Sequence, residues 1–579
     1  MNFRRLALLL VPAATLSAIL TFLAAGPAAA LNRGADGSVK FIILHTNDIH
    51  GQVLPRDARD RKDEKIGGIA ALDAYITKER AAAEKAGAKL LLIDSGDWYQ
   101  GTPEGNYKKD GIEGALIIDW MNRARYDAAV IGNHEFDFGR ANVSSLIARA
   151  KFNILGANVL APVAAGPNTT NGDSTASKPV SLAPIAKPYA IFEHGGVKLS
   201  VVGLLTSDTP RMVAEGRLGD VTIPDQYKEG RKWYDRASKE SDIVIFATHC
   251  GRDEDGELAR RVPEAPVILG GHSHTKIKQP NFAEHEPAAL TKNPWKAILA
   301  ARTYIVQSGS RTEAVDRIEM WIDPADKKIE KIDTKVIDLY IKDVGESEDT
   351  KKWLDAEAGD IIKEMATVIA ELTEPIASEA EGRPSADPAG ILATEALLWH
   401  GKNVEPGVAV AFNNPSGIRA KVKTGPLTKR GVYEIIPFDN TSVILTMTAK
   451  DLLAIMSDSM AGRGRIISAG MDGELIQDAD GVMDTTKLLI GGKPFDNNAK
   501  YRIIVNSFIA DGKGGATGFT KGTERRDTGA LVRDSISEYV SQRKSLALEP
   551  FFRLKLKSTK TRNAEKPQPA GAGSTGEKK

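Results

Sequence analysis

Five short apolar segments, each followed closely by His, Asp or Asn, constrain the fold of this chain most strongly. Runs of about four to eight mostly apolar residues, bounded by Gly or polar residues, are typical of buried strands. Helical patterns lie between them, for example at residues 69–86 and 111–125. Strands that alternate with helices predict a layered α/β domain, which we place at residues 38–340. The five segments are residues 41–47, 90–95, 128–132, 242–249 and 267–270.

The length of the chain predicts a second domain, because 579 residues exceed what one hydrophobic core usually supports. Residues 341–370 are charged and helical in pattern, and we interpret them as a connecting helix. Mixed helix and strand patterns then indicate a smaller α/β domain at 371–556. The composition of residues 557–579 predicts a disordered tail, and the Pro-, Ser- and Gly-rich residues 161–188 predict a surface insertion.

The N-terminus has the order of a signal peptide. Arg4 and Arg5 precede the uncharged residues 6–23, and a small-residue stretch ends at Ala30. This order predicts cleavage near Ala30, with residues 1–30 removed and the protein secreted or periplasmic. No stable membrane insertion is expected after cleavage. An uncleaved anchor is the alternative, because the uncharged segment approaches the length of a membrane span.

Charge and cysteine content exclude several classes of partner and site. With 77 basic and 76 acidic residues, the formal net charge is +1, which offers no basic surface for a nucleic acid polymer. We therefore expect a small-molecule substrate that is recognised locally. Cys250 is the only cysteine, so disulfides within the chain and thiolate zinc clusters are both excluded. The sequence indicates no particular oligomeric state.

The polar residues that follow the five segments form a constellation with a defined chemistry. Active sites of α/β sheets lie at the carboxyl ends of strands, and these residues fall there. Each motif alone is weak, but five in one domain predict a site for two divalent ions, because carboxylate, amide and imidazole groups suit such ions and one carboxylate can bridge them. The motifs are Asp48-Ile49-His50-Gly51, Gly96-Asp97, Gly132-Asn133-His134-Glu135-Phe136-Asp137, Thr248-His249 and Gly270-Gly271-His272-Ser273-His274.

These motifs resemble those of the calcineurin-like metallophosphoesterases, and more closely those of the bacterial 5′-nucleotidase and UDP-sugar hydrolase branch. The resemblance covers nearly the whole mature chain. It implies a four-layer α/β/β/α domain, joined by a helix to a smaller α/β domain, and two divalent ions (Mn, Zn, Co or Fe). By the same resemblance, one ion is held by Asp48, His50 and His274, the other by Asn133, His249 and His272, and Asp97 bridges the two.

The resemblance gives His134 a role other than metal binding. It implies that His134 faces the phosphoryl group and the leaving oxygen, and that Asp137 orients its ring. A charged donor at that position stabilises the negative charge that develops in the transition state. The resemblance also implies that the ions would lower the pKa of a bound water so that hydroxide attacks phosphorus in line. His45 is expected to neighbour the site. The remaining histidines are expected to be structural, namely His194, His285 and His400.

The second domain is implied to bind the substrate. The segment 413–419 resembles the family's Asn-Gly-Gly-Gly-Ile-Arg, whose arginine contacts the terminal phosphate. Two phenylalanines match the pair that sandwiches the base in the family. The implied substrate-binding residues are Arg383, Asn414, Arg419, Phe438, Asn440 and Phe508. The sequence departs from the family at 511–519, where Thr517 replaces the aspartate that contacts ribose, and Asp511 is a candidate substitute.

The expected activity is hydrolysis of nucleoside 5′-phosphates to nucleoside and phosphate. Alternatives on the same scaffold are a 2′,3′-cyclic nucleotide phosphodiesterase, a UDP-sugar hydrolase and a sulfur-compound hydrolase. A phosphatase acting on lipid or protein phosphates would leave Phe438 and Phe508 without a purpose. A binding protein that has lost catalysis would have lost ligand residues, whereas every motif position here is filled.

Overall fold

A computed structural model of the chain describes residues 37–58, 60–163, 181–278, 281–284, 302–373, 388–461, 465–478, 480–547 and 554–558. The chain divides into two units, Met1–Met365 and Ala366–Lys579. The predicted signal peptide, residues 1–30, lies outside the described residues. Within the ranges given above, no helix combines the length and the apolar character needed to cross a bilayer.

Two six-stranded sheets form the centre of the first unit. In the first sheet, four neighbouring strands are parallel and two further strands pair antiparallel along one side; in the second, four parallel strands lie between an antiparallel strand at each edge. In spatial order, the first sheet contains Ile329–Asp338, Ala314–Ile322, Val39–Thr46, Lys89–Asp94, Ala128–Val130 and Asn153–Leu155. The second contains Tyr189–His194, Val197–Leu205, Ile243–His249, Val267–Leu269, Arg302–Val306 and Asn281–Glu284.

Successive side chains along each strand point to opposite faces of its sheet, and the first unit has four layers as a result. Phe41 and Ile43 belong to a core shared with Val201 and Ile245, so the inner faces of the two sheets pack together. Ile42 faces the other way, into a core formed with the helices Ile69–Lys85, Ala115–Ala124, Arg140–Arg149 and Glu348–Met365. The second sheet packs its outer face against Gln226–Ala237 and Arg252–Arg261. The predicted α/β/β/α order is confirmed.

The strands predicted from apolar runs end within two residues of the observed ones, but one predicted helix begins too early. The helix predicted at 111–125 begins at Ala115, because Ile112–Glu113 pairs with Lys108–Lys109 as a short strand. Gly114 joins the strand to the helix with φ 82°, a conformation that favours glycine. Apolar periodicity alone did not reveal this turn.

Short elements connect the layers of the first unit. The paired strands Leu160–Pro162 and Leu182–Pro184 lie almost wholly within the predicted insertion at 161–188, and residues 164–180 lie outside the described part of the chain. The strands Arg56–Asp57 and Lys65–Ile66 form a second small pair. The remaining short elements are the helices Thr209–Met212 and Ile341–Val344 and the 3-10 turn His134–Phe136.

The segment predicted as a connecting helix at 341–370 is not one helix. Its long helix, Glu348–Met365, belongs to the first unit, where Leu354 and Ala358 are buried against the first sheet's helices. Val368–Leu372 is a strand of the second unit. It pairs with Gly425–Thr428 and with Ser545–Leu546. Every second side chain, Ala370 and Leu372, is buried, and this packing as a strand decides the conformation in spite of the helical pattern of the sequence.

A five-stranded mixed sheet organises the second unit, which is also α/β. Its order is Ile467–Ala469, Val408–Asn413, Lys500–Asn506, Thr441–Thr448 and Thr523–Leu531. One face packs on the helices Pro388–Val404, Lys429–Ile435 and Val532–Arg543. The other packs on Ala449–Met460, on Ser507–Ala510 and on a smaller sheet made of Met471–Gln477, Met483–Asp484, Leu488–Ile490, Lys493–Pro494 and Leu554–Ser558.

The predicted disordered tail, 557–579, overlaps this smaller sheet. Lys557 and Ser558 are the last two residues of the strand Leu554–Ser558, which pairs in parallel with Met471–Gln477. The predicted tail therefore began two residues too early, because Lys557 and Ser558 are polar in sequence but pair with Ile476 and Gln477 as part of a strand. Residues 559–579 lie outside the described residues.

Candidate metal centre

The candidate ligands lie where strands of the two sheets end. Asp48 and His50 follow Val39–Thr46, Asp97 follows Lys89–Asp94, and Asn133 follows Ala128–Val130, all from the first sheet. The second sheet contributes His249, the last residue of its strand, and His272 and His274 beyond Val267–Leu269. Both sheets therefore deliver polar side chains at carboxyl ends of parallel strands, as the motifs predicted.

Several of these residues occupy a backbone conformation that L-amino acids rarely adopt. Asp48, His50, Asp97, His272 and His274 have φ between 49° and 76°. Such conformations cost free energy and persist where the surrounding structure imposes them, which is common at functional sites. These conformations turn the chain sharply after each strand, and the side chains of these residues lie together in one cluster.

The first group of converging ligands is Asp48, His50, Asp97 and His274. Their ligand atoms all lie within 4.8 Å of one another. The Nε2 atoms of His50 and His274 are 2.9 Å apart, and His274 Nε2 lies 3.2 Å from Asp48 Oδ1. Two imidazole nitrogens and two carboxylates that converge in this way are an arrangement that suits a divalent cation.

The second group contains Asp97 again, with His249 and His272. His249 Nε2 lies 3.1 Å from Asp97 Oδ2. Asn133 joins them, because its Oδ1 is 3.2 Å from His249 Nε2 and 3.0 Å from His272 Nδ1. The structure thus brings all the sequence-predicted metal ligands into two groups that share Asp97, and they form a potential metal-binding cluster of nitrogen and oxygen donors.

Backbone carbonyls fix the orientation of two of these imidazoles. His50 Nδ1 donates to Gln100 O at 2.6 Å, and His249 Nδ1 donates to Ser95 O at the same distance. Because a carbonyl only accepts, each ring carries its proton on Nδ1 and directs Nε2 to the cluster. Such outer partners set the tautomer of a metal-binding histidine.

The electrostatics of the cluster favour ionised carboxylates. Burial alone would raise the pKa of Asp97, but the neighbouring imidazoles of His249 and His134 bring it well below its ordinary value. Burial alone would lower the pKa of His249, but Asp97, Asp48 and the hydrogen bond to Ser95 together raise it to about 10. Burial lowers the pKa of His272 to about 4. A cation that binds His249 Nε2 displaces a proton from that ring, whereas the His272 ring is already neutral at pH 7.

His134 and Asp137 lie together beside the cluster. His134 Nδ1 and Asp137 Oδ2 are 2.7 Å apart, and the ring's Nε2 lies 4.0 Å from Asp97 Oδ2. The side chain of His134 is 13% exposed, so it is accessible, unlike His249. The backbone N–H of His134 donates to Asp97 Oδ1, which links the 3-10 turn to the cluster. The imidazole is thereby oriented by a carboxylate and faces the candidate ligands.

Sequence reasoning missed Glu135, a buried residue of the same motif. Its Oε2 accepts the backbone N–H groups of Asp97 at 3.0 Å and Gly132 at 2.7 Å, and its Oε1 accepts that of Trp98 at 2.8 Å. Burial and the nearby Asp97 raise the pKa of Glu135 to about 7. One carboxylate therefore ties two ligand-bearing loops together. An acidic residue between His134 and Phe136 in the same motif was the available indication.

His45, expected near the site, belongs to a buried chain of hydrogen bonds. Its Nδ1 lies 2.8 Å from Asp316 Oδ2 and its Nε2 lies 3.0 Å from Ser95 Oγ. Asp316 is far away in sequence and carried no motif that would have pointed to it. Gly96, between Ser95 and Asp97, has φ 92°, and a Cβ there would lie 2.7 Å from His249 Nδ1, so the close approach of these segments requires glycine.

The predicted substrate residues of the second unit converge at one end of its sheet. Phe438 and Asn440 precede the strand Thr441–Thr448, and Phe508 follows its antiparallel neighbour Lys500–Asn506. The strand Val408–Asn413, parallel to the latter, leads to Asn414 and Arg419. The guanidinium carbon of Arg419 lies 5.7 Å from the centre of the Phe438 ring. Arg383 lies outside the described residues.

Two of these predictions meet competing contacts. The Asn414 amide accepts from Asn506 Nδ2 at 2.8 Å and donates to Ser416 Oγ at 2.8 Å, so it helps to hold its own segment. Asp511, the suggested replacement for a ribose-binding aspartate, accepts from Arg525 Nη2 at 2.6 Å. Phe508 is half-buried, and a Cβ at Gly514 would lie 3.0 Å from its ring.

Comparisons with known proteins match both units. The calcineurin-like phosphoesterase profile matches residues 41–276, and the 5′-nucleotidase C-terminal domain profile matches residues 368–521. Protein UshA of Yersinia enterocolitica is 26% identical over 568 residues, covering 92% of this chain and 96% of that protein. The 5′-nucleotidase of Vibrio cholerae is 25% identical over 551 residues, covering 89% and 93%.

A solved structure gives the same result. The crystal structure of a 5′-nucleotidase precursor from Thermus thermophilus has 26% sequence identity and a TM-score of 0.72, and the match covers 90% of this chain and 99% of that one. The order of the two matched domains, the layered first unit and the Asp/His cluster agree with these similarities. The chain belongs to the 5′-nucleotidase family of metallophosphoesterases and is a phosphoric ester hydrolase.

Proposed function

We propose that the protein uses two divalent ions to hydrolyse nucleoside 5′-phosphates to nucleoside and phosphate. The observation that carries this proposal is the position of Asp97, which belongs to both ligand groups. A carboxylate shared by two sets of nitrogen and oxygen donors is the arrangement expected of a dinuclear centre. Nitrogen and oxygen donors are compatible with Mn, Zn, Co or Fe.

The ligand assignment follows the two groups. Asp48, His50 and His274 would hold one ion, Asn133, His249 and His272 would hold the other, and Asp97 would bridge them. Supporting this, the Asp97 Oδ2 atom lies 3.1 Å from His249 Nε2 and 3.8 Å from His50 Nε2, so it faces both groups. Bound divalent ions supply Lewis acidity, which polarises the phosphoryl group and activates water.

His134 would act on the substrate rather than on the ions. Asp137 holds its Nδ1, which fixes the ring and stabilises a positive charge on it. A protonated imidazole beside the cluster can donate a hydrogen bond where negative charge develops on the phosphoryl and leaving oxygens. Its side chain is 13% exposed, so a substrate can reach it.

The second unit would bind the nucleotide. Arg419, with Arg383 as a second candidate, would hold the phosphate, because a guanidinium presents two parallel donors to phosphate oxygens. Phe438 and Phe508 lie at the same end of neighbouring strands and would stack on the base. Asn414 and Asn440 would contribute amide contacts. The names of the similar proteins from Vibrio cholerae and Thermus thermophilus support a nucleotide substrate.

A substrate panel tests the activity. We expect the Mn²⁺-loaded protein to turn over adenosine 5′-monophosphate faster than 2′,3′-cyclic adenosine monophosphate, UDP-glucose or thiosulfate esters. Faster turnover of one of the latter would replace the proposed substrate while retaining the metal chemistry. No turnover of any phosphate ester with Mn²⁺, Zn²⁺, Co²⁺ or Fe²⁺ would contradict the proposal as a whole.

We also propose export, with cleavage near Ala30. The support is the order of Arg4, Arg5, an uncharged segment and a small-residue site. N-terminal sequencing of protein from the periplasmic or culture fraction should give a chain that starts at Leu31. Recovery of the uncleaved chain in the membrane fraction would favour the anchor instead.

A further inference from the structure

The segment that carries Phe438 is held by a helix distant in sequence. Residues 436–440 connect the helix Lys429–Ile435 to the strand Thr441–Thr448. Ile436 is buried, whereas Phe438 is half-buried at the edge of the unit. The backbone N–H of Val532, at the start of the helix Val532–Arg543, donates to Asn440 O at 2.9 Å.

Arg533, the next residue of that helix, contacts the segment on both sides of Phe438. Its Nη2 lies 2.5 Å from Asp439 Oδ1, and its Nη1 donates to Pro437 O at 3.4 Å. The guanidinium also lies over the Tyr433 ring, with Cζ 4.6 Å from the ring centre. One planar group therefore joins the residues before and after Phe438 to the preceding helix.

We infer that Arg533 is a positioning residue, which sets the specificity for an aromatic base by holding Phe438 in its binding conformation. The inference rests on the proposed function, in which Phe438 stacks on the base. Arginine suits this task because its donors are fixed in one plane on separate nitrogens, whereas lysine presents its donors from a single nitrogen on a flexible stem. The side chain of Arg533 is 16% exposed, so the guanidinium is largely shielded from water although its partner Asp439 is not.

The physical effect is preorganisation. If the segment were loose, substrate binding would have to order it, and that cost would weaken binding. Base stacking is the same in the bound substrate and in the transition state, so its weakening raises KM and leaves kcat unchanged. The KM of a substrate without an aromatic group should therefore stay the same.

The test compares two substrates, adenosine 5′-monophosphate and β-glycerophosphate, on Mn²⁺-loaded protein. We expect Arg533→Ala to raise KM for the nucleotide about fivefold and Arg533→Lys to raise it less. Asp439→Ala removes the other partner and should raise it about threefold. All three variants should keep kcat within about twofold, and KM for β-glycerophosphate within about twofold.

Two further variants make the test decisive. Arg543→Ala is the matched control, because Arg543 lies on the same helix and stacks on Tyr539, with Cζ 3.6 Å from the ring centre. It should leave both KM values within about twofold. Phe438→Ala is the reference and should raise KM for the nucleotide by about tenfold or more.

The outcomes separate the inference from the function on which it rests. If Phe438→Ala raises KM for the nucleotide but Arg533→Ala and Asp439→Ala do not, Arg533 does not position Phe438. If Arg533→Ala raises KM equally for both substrates, its role is general to the fold and the inference is wrong. If Phe438→Ala changes neither KM, base stacking itself fails and the inference falls with it. Asp439 is 39% exposed, so its variant is expected to fold even if Arg533→Ala does not.

Discussion

The metal centre of the first unit is defined by contacts among its own residues, whereas the candidate substrate site at one end of the second unit's sheet is not. In the first unit, the candidate ligands point at one another, with two imidazole nitrogens 2.9 Å apart and Asp97 common to both groups. In the second unit, candidates such as Asn414 are engaged in hydrogen bonds with other residues of that unit, here Asn506 and Ser416. The difference teaches that a cation site must be nearly complete in the protein, whereas a stacking site is completed by its ligand.

The comparison predicts that the shared carboxylate has the largest effect. Asp97→Ala removes a ligand from both groups, so we expect kcat for adenosine 5′-monophosphate to fall on the order of 10⁴-fold and metal content to fall below two ions. Steady-state kinetics and inductively coupled plasma mass spectrometry measure the two effects. Asp484→Ala, which removes an exposed carboxylate hydrogen-bonded to Thr486 in the second unit, is the control. Equal metal content in Asp97→Ala and the unchanged protein would contradict the role of Asp97 as a ligand shared by both groups.

The next largest effect should come from His134. His134→Ala should lower kcat by about 10²- to 10⁴-fold while both ions remain bound, because the side chain stabilises developing charge without holding an ion. His194→Ala is a suitable control, since His194 Nε2 donates to Gly87 O away from the cluster. Loss of an ion in His134→Ala would instead make it a ligand.

Glu135 tests whether the first unit's precision depends on backbone contacts. Glu135→Gln keeps the shape of the side chain but replaces one acceptor oxygen by a donor, which opposes a backbone N–H of Asp97, Trp98 or Gly132. We expect metal affinity to fall about 10- to 100-fold, the usual effect of losing a group that orients ligands. Isothermal titration with Mn²⁺ measures it. Unchanged affinity would mean that the two loops hold their positions without this carboxylate.

The smallest effect belongs to the second unit. Phe508→Ala should raise KM for adenosine 5′-monophosphate about 5- to 100-fold through lost stacking, with kcat and metal content unchanged. Phe495→Ala provides a phenylalanine control, because Phe495 stacks on Tyr501 in the same unit, with ring centres 5.3 Å apart. A fall in kcat with KM unchanged would show that Phe508 acts on the reaction rather than on binding.

The sequence predicted the first unit well because its strands and ligands obey local rules. Each of the five predicted strands is an apolar run, and the residues after it carry the chemistry, so the cluster around Asp97 could be anticipated without knowing the topology. Glu135 escaped notice because its partners are backbone N–H groups, which no residue type reveals. Asp316, the partner of His45, lies too far away in sequence for spacing to suggest it.

Predictions for the connecting region and the second unit were less accurate because contacts between residues distant in sequence decide the structure there. The strand Val368–Leu372 follows a charged helix, and only its pairing with Gly425–Thr428 and Ser545–Leu546 decides its conformation. The ion pair of Asp511 with Arg525 likewise depends on tertiary contact. A phenylalanine that stacks on a ligand has the composition of a core residue, so Phe438 and Phe508 were identifiable only by family resemblance.

The number of ions bound per chain tests the central claim most directly. The protein should be stripped with a chelator, reloaded with Mn²⁺ or Zn²⁺, freed of unbound metal and analysed by mass spectrometry against protein concentration. The account predicts two ions per chain and hydrolysis of adenosine 5′-monophosphate that returns with them. One ion per chain in a fully active protein would contradict the dinuclear centre, and full activity of the metal-free protein would contradict metal-dependent hydrolysis altogether.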